Sequence, residues 1–163
     1  MANTTQKITP FLWFDNNAEE AANFYTSIFK NSSINSKSYY TEAGPGPKDT
    51  VMVVSFNLNG QNFTALNGGP LFKFTEAISF VVNCDSQEEV DHYWYKLLEG
   101  GEESQCGWLK DKFGLSWQIV PLRLMELLQD KDPGKRNRVM QAMMKMIKLD
   151  VPTLEKAARG NNV

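Results

Sequence analysis

The chain has 163 residues, 42% of them hydrophobic and 12% aromatic, enough for one well-buried core or for two small modules sharing one. Its 17 basic and 19 acidic side chains leave a formal charge of -2, which gives no general attraction to nucleic acid or to an anionic membrane. No apolar run approaches the roughly 20 residues that a spanning helix needs. The start, MANTTQKITPFLWF, has one lysine and no long apolar core, so it does not read as a secretory leader.

Ile8 to Phe14 is an apolar run that reads as a strand, and Asp15-Asn16-Asn17 interrupts it. Ala21, Phe24, Tyr25 and Ile28 then recur at helical spacing, with Asn17 placed to cap and Glu20 to complete a capping box. Strands follow at Ile34–Thr41 and Thr50–Leu58, separated by the turn-rich Glu42–Lys48. Asn59-Gly60 marks a hairpin, because both positions accept positive φ, and Asn62–Leu66 is the return strand. Asn67-Gly68-Gly69-Pro70 reads as a linker between modules.

The same order then repeats. Ile78–Val82 is a strand, Asn83-Cys84-Asp85 breaks it, Ser86 caps with Glu89 three residues on, and Val90, Trp94, Leu97 and Leu98 form a stripe. An offset of seventy residues places Phe24 on Trp94 and Tyr25 on Tyr95. A short strand around Glu103–Leu109, a turn at Lys110–Gly114 and a return strand at Ser116–Val120 complete the copy, with Thr64 falling on Gln118. The expected fold is α+β: paired βαβββ modules at 1–69 and 70–121 in one structural domain, their sheets curved around a shared concavity. A C-terminal helical extension occupies 122–163.

In that extension Leu122, Met125 and Leu128 suggest a short helix, and Asp132-Pro133 opens a second that carries Val139 to Ile147. A break near Asp150-Val-Pro152 starts a third, which runs through Ala158, and Gly160–Val163 is expected to fray. The methionines of the second helix suit a subunit interface or intrachain packing.

Strand alternation points Gln118 inward and Trp117 and Ile119 toward the helix, so Gln118 and its counterpart Thr64 are the candidate polar contacts for a ligand. The same reading places Leu12 and Phe80 on the wall of an apolar cavity, with Trp108 and Cys106 near its rim. Cys84 and Cys106 read as free thiols in a reducing cytoplasm. The only histidine, His92, is expected to face solvent on the second helix, a poor partner for a nucleophile.

The segments ITPFLWF, AEEAANFY, FNLNGQNFTALNGGP, AISFVVNC, QEEVDHYW and CGWLKDKFGLSWQIVP resemble the PhnB-like branch of the vicinal oxygen chelate superfamily. This is the group of glyoxalases, bleomycin-resistance proteins and extradiol dioxygenases, and the branch is labelled as a 3-demethylubiquinone-9 3-methyltransferase domain. The resemblance implies a homodimer. It also implies metal ligands on the first and last strands of each module, at Ile8, Ile78, Thr64 and Gln118. Two isoleucines, a hydroxyl and a neutral amide make a poor ligand set, so no metal is expected. No glycine-rich turn for a nucleotide-type cofactor follows the first strand, and Asn67-Gly68-Gly69-Pro70 leads into no capped helix, so none is expected. The reading is a binder of an unidentified small molecule, with no nucleic-acid or membrane partner. The alternative is an enzyme acting on a small organic substrate, with a metal held by Glu102, Glu103 or Asp111. A scaffold with a filled interior is the third possibility.

Overall fold

The structure is a computed structural model and describes residues 6–160. Of Gly160–Val163, expected to fray, only Gly160 falls among them, and the first five residues of the N-terminal segment read for a leader lie outside. The chain divides into two compact units, residues 1–73 and 74–163.

In the first unit, β1 (Phe11–Phe14), α1 (Ala18–Ile28), β2 (Ser33–Tyr39), β3 (Val51–Leu58) and β4 (Gln61–Asn67) form a four-stranded sheet in the order β1-β4-β3-β2. β1 pairs parallel to β4, and the other neighbours are antiparallel. Asn59 (φ 47) and Gly60 (φ 90) make the β3–β4 turn as their types anticipate. One sheet face, carrying Leu12, Phe14, Val54, Phe56, Leu58, Phe63 and Ala65, is buried beneath α1. Ala18, Ala21 and Ala22 let the helix backbone approach closely, while Tyr25 supplies bulk and lies 6.2 Å from Phe56, ring centroid to centroid. Fully burying each such large side chain stabilises by roughly 1.5–3 kcal/mol.

The start of α1 departs from expectation. The Asn17 side chain makes no capping bond. Instead the Ala18 N–H donates to Asn67 Oδ1 at 2.8 Å, from the end of β4. The cap comes from a residue distant in sequence, which local spacing cannot reveal.

The second unit repeats the plan with β5 (Ser79–Cys84), α2 (Gln87–Leu97), β6 (Glu102–Glu103), β7 (Trp108–Lys110) and β8 (Ser116–Pro121), ordered β5-β8-β7-β6. Here the cap is the expected one. Ser86 Oγ accepts from the Glu89 N–H at 3.3 Å, and the Glu89 carboxylate accepts from the Asp85 N–H at 2.9 Å. The expected single strand around Glu103–Leu109 is split into β6 and β7, because Cys106 (φ 58) and Gly107 (φ 84) both turn left-handed.

The repeat needs one correction. Phe11 pairs with Thr64 and Val81 with Gln118, so the first strands correspond at an offset of seventy residues. The buried helix positions Tyr25 and Ile28 correspond to Trp94 and Leu97, one residue fewer. The turn Asp15-Asn16-Asn17 is one residue longer than Asp85-Ser86, and the helical stripe shifts with it. Tyr95, expected to match Tyr25, is therefore exposed.

The extension forms α3 (Leu122–Leu128), α4 (Pro133–Met143) and α5 (Val151–Ala158), with Asp132 and Asp150 capping the last two. It packs within the second unit, where Val120 joins Leu124, Leu127, Val139, Leu149 and Leu154 in one buried cluster. Met146 and Ile147, expected inside the methionine helix, lie past its end. Their carbonyls accept the N–H groups of Cys106 and Gly107 at 2.8 and 2.7 Å. Among the described residues, no helix is long and apolar enough to cross a membrane.

The hairpin from Trp108 to Pro121 is organised by a buried carboxylate. Asp111, 3% exposed, accepts from the N–H groups of Phe113 and Leu115 at 2.9 and 3.1 Å and from Trp117 Nε1 at 2.9 Å. Asp111→Ala strands these donors and lowers the unfolding free energy by about 3 kcal/mol or more. Urea melts show this as a lower midpoint at unchanged slope, and a loss below about 1 kcal/mol contradicts the assignment.

Burial, reinforced by Glu89 and Asp85, pushes the Cys84 thiol up from 9.0 to about 12. The folded chain thus disfavours the thiolate, and the associated stability is intact below pH 9 and lost as pH rises toward 12. Relative to Cys84→Ala, the wild type loses about 1.4 kcal/mol per pH unit in that window. Parallel pH profiles of the two proteins by urea unfolding contradict this if their curves stay level.

Candidate functional site

Each sheet has a helix-packed face and an opposite face without a helix of its module. In the first unit the second face carries Phe11 and Trp13 on β1, Thr64 and Leu66 on β4, and Val53 and Ser55 on β3. In the second it carries Ser79 and Val81 on β5, Ser116 and Gln118 on β8, and Trp108 and Lys110 on β7. Thr64 and Gln118 are half-buried, and both stand on these open faces.

Two of the other expected residues fall elsewhere. Leu12 is buried on the helix side, next to Ala65, and Phe80 packs 5.6 Å from Trp117 on the corresponding side of the second sheet. Alternation counted from Ile8 and Ile78 puts Leu12 and Phe80 on the open side, but both isoleucines lie outside the strands and are 86% and 70% exposed. The side chains beside Thr64 and Gln118 are Phe11 and Val81.

Trp108 does share its face with Gln118, as its cross-strand partner. Cys106 is turned toward the extension, with Sγ 3.7 Å from the Met143 carbonyl and 3.8 Å from Met144 Sδ. His92 is exposed, its ring 5.0 Å from that of Tyr93.

The polar groups of the second open face form a fixed set. Gln118 Nε2 donates to Ser79 Oγ at 2.8 Å, which orients the amide. Two residues back on the same face, Ser116 Oγ is buried, with its residue 1% exposed, and has no hydrogen-bond partner among the described residues. It lines a hollow of about 150 Å³ together with Trp108, Lys110 and three glutamates, Glu76, Glu102 and Glu103. Lys110 and Glu76 form an ion pair that holds the carboxyl below its usual range and raises the ammonium.

Sequence reasoning missed a second concavity, of about 580 Å³, at the end of the first sheet, lined by Asp15, Tyr40, Pro47, Asn67 and Gly68 among others. Its sequence signal was Asn67-Gly68-Gly69, read as a linker. Gly69 does need its positive φ of 86. Gly68 is small for another reason, since a Cβ there would overlap the Trp13 indole.

The superfamily's metal chemistry does not fit these residues. The paired first- and last-strand positions are Phe11 with Thr64 and Val81 with Gln118, which offer one hydroxyl and one neutral amide. Among the described residues, no three His, Cys, Asp or Glu side chains are grouped to hold an ion. Glu102 and Glu103 are exposed on the two-residue β6, and Asp111 is committed to its hairpin. A nucleotide-type methyl donor fits no better. The strand-to-helix turns Asp15-Asn16-Asn17 and Asp85-Ser86 contain no glycine, and the first N–H of α1 is already bonded to Asn67.

Residues 6–120 match the family model described as 3-demethylubiquinone-9 3-methyltransferase. No curated protein matches the sequence. Among solved structures, a Bacillus cereus PhnB protein carrying the same methyltransferase label is 44% identical, with a TM-score of 0.66 over 71% of this chain and 99% of its own. Protein PA1353 from Pseudomonas aeruginosa is 22% identical, with a TM-score of 0.60 over 72% and 98%. The fosfomycin resistance protein FosX from Listeria monocytogenes, at 19% identity, has a TM-score of 0.56 over 78% and 99%. The last two show the shared fold alone. With paired βαβββ units, a family-model match across most of its length and 44% identity to a PhnB protein, the chain belongs to the PhnB-like branch of the vicinal oxygen chelate superfamily.

Proposed function

We propose that this protein binds a small organic molecule through neutral hydrogen bonds on the open sheet faces, without a metal. One observation carries the reading: a buried serine hydroxyl with no partner among the described residues, beside an amide already oriented by a neighbour. Buried polar groups in folded proteins are nearly always satisfied, so an unmet hydroxyl on the wall of a hollow favours a ligand group or water there. A volume of about 150 Å³ accommodates one polar group of a ligand rather than a whole molecule. The remainder of the ligand lies against Val81, Trp108 and Gln118, and Thr64 holds the equivalent polar position on the first unit's own open face. Leu12 and Phe80 support these sheets from the helix side, and Cys106 makes no contact with the ligand.

The test is a ligand-observed NMR screen of the full chain with neutral aromatic fragments carrying one amide or hydroxyl, run with and without EDTA. Binding persists in the chelator. Gln118→Ala weakens it about tenfold, the equivalent of one lost hydrogen bond. Affinity that vanishes with EDTA and returns with a divalent cation favours the metal-assisted enzyme instead.

A homodimer in the cytoplasm forms part of the same proposal. Leu122, Met125, Met140, Met144 and Ile147 are all large, apolar and exposed on the extension. Light scattering coupled to gel filtration gives twice the chain mass, and replacing Met140 and Met144 by glutamate lowers it to one.

A further inference from the structure

The two units finish differently at corresponding places. In the second, the chain's own extension meets the end of the sheet at three points. It accepts hydrogen bonds from Cys106 and Gly107 in the β6–β7 loop. It is bridged by Gln87 in the first turn of α2, which donates to the Leu149 carbonyl at 3.2 Å and accepts from the Val151 N–H at 2.7 Å. It also buries Val120, near the end of β8, against Leu149. The counterparts in the first unit are the β2–β3 loop, the first turn of α1 and the end of β4. No described segment of that unit covers them, and they border the open cavity of about 580 Å³.

The walls of this cavity are already fixed. The Tyr40 hydroxyl donates to the Asn67 carbonyl at 2.5 Å. The Asn67 side chain accepts from Ala18 and donates to the Val51 carbonyl at 2.9 Å. Gly44 and Gly46 lie so close to the Tyr40 ring that a Cβ on either would overlap it. Pro45, Pro47 and Val51 add apolar surface. The volume is within the usual range for small-molecule sites, roughly 300–1,000 Å³.

The charge is one-sided. No lysine or arginine lines the cavity, whereas Asp15 and Glu19 do. Glu19 is already paired with Lys37. The exposed Asp15 carboxylate makes no hydrogen bond or ion pair among the described residues, which leaves a negative charge without a side-chain partner at a partly apolar mouth. We propose that this cavity is a second ligand site, which takes a small organic cation: an apolar body against the prolines and Val51, and a protonated amine on Asp15. The site lies in the first unit and does not rest on the proposed function.

The probe is benzylamine, with benzoate as its charge-reversed control, titrated into the ¹⁵N-labelled full chain. Benzylamine shifts the amide signals of Gly46, Gly68 and Gly69, and benzoate leaves them in place. Asp15→Asn, at an exposed position whose side chain holds no structural bond, folds normally and weakens benzylamine about tenfold. Rising salt weakens it as well. Equal shifts from benzoate, unchanged affinity in Asp15→Asn, or shifts confined to the second unit overturn the proposal. Movement of the same glycine signals on raising protein concentration alone assigns the cavity to a second copy of the chain, and also overturns it.

Discussion

The parallel pairing of the first and last strands of each unit is the constraint on which the remaining structure depends. A parallel connection needs a long crossover, and here the crossover is a helix followed by two antiparallel strands. The helix must bury its stripe, so it claims one sheet face, with Tyr25 and Trp94 as the largest buried residues of α1 and α2. Everything on the opposite parity is left to hydrogen bonding, to solvent or to a ligand. Thr64 and Gln118 stand there because they pair with Phe11 and Val81, whatever chemistry they carry.

That division explains why the charged residues of the hairpin contribute little to a reactive site. Asp111 is surrounded by three donors, and Lys110 is held by Glu76. The aromatic density around Trp108 and Trp117 is likewise divided between faces, with Trp117 beneath the helix and Trp108 beside Gln118. What remains on the open side of the second sheet is an oriented amide, a buried hydroxyl without a partner among the described residues and apolar wall, with Glu102 and Glu103 at the edge of the hollow. These groups suit hydrogen bonding, and among the described residues no three carboxylates, thiolates or imidazoles are grouped as a divalent ion requires.

The extension makes the duplicated units unequal. The family model ends at residue 120, one residue before the strand gives way to α3. Beyond it the chain adds its own small core around Leu149 and uses the left-handed Cys106-Gly107 turn as a docking point. The N–H groups of that turn would otherwise need water or another partner. No described segment of the first unit makes such an addition, and its corresponding end is concave.

Much of the fold was legible in the residues. Ser86 with Glu89, Asn59-Gly60 and Asp132-Pro133 act through neighbours a few positions away, so local spacing sufficed to place them. The site was legible only in part. The parity of Gln118 followed from Trp117 and Ile119, both large and apolar, whereas Leu12 and Phe80 were assigned to the wrong face. In a run such as Ile8–Phe14 residues of both parities are apolar, so the pattern holds no phase, and pairing with β4 had to set it. By itself the sequence determined two βαβββ units, their turns and the neutral character of Thr64 and Gln118. Only the tertiary structure decided which face each strand residue takes, that Asn67 caps α1, that Ser116 is left unsatisfied and that the extension closes one end. Each of these depends on contacts between residues far apart along the chain, and no local period records such contacts.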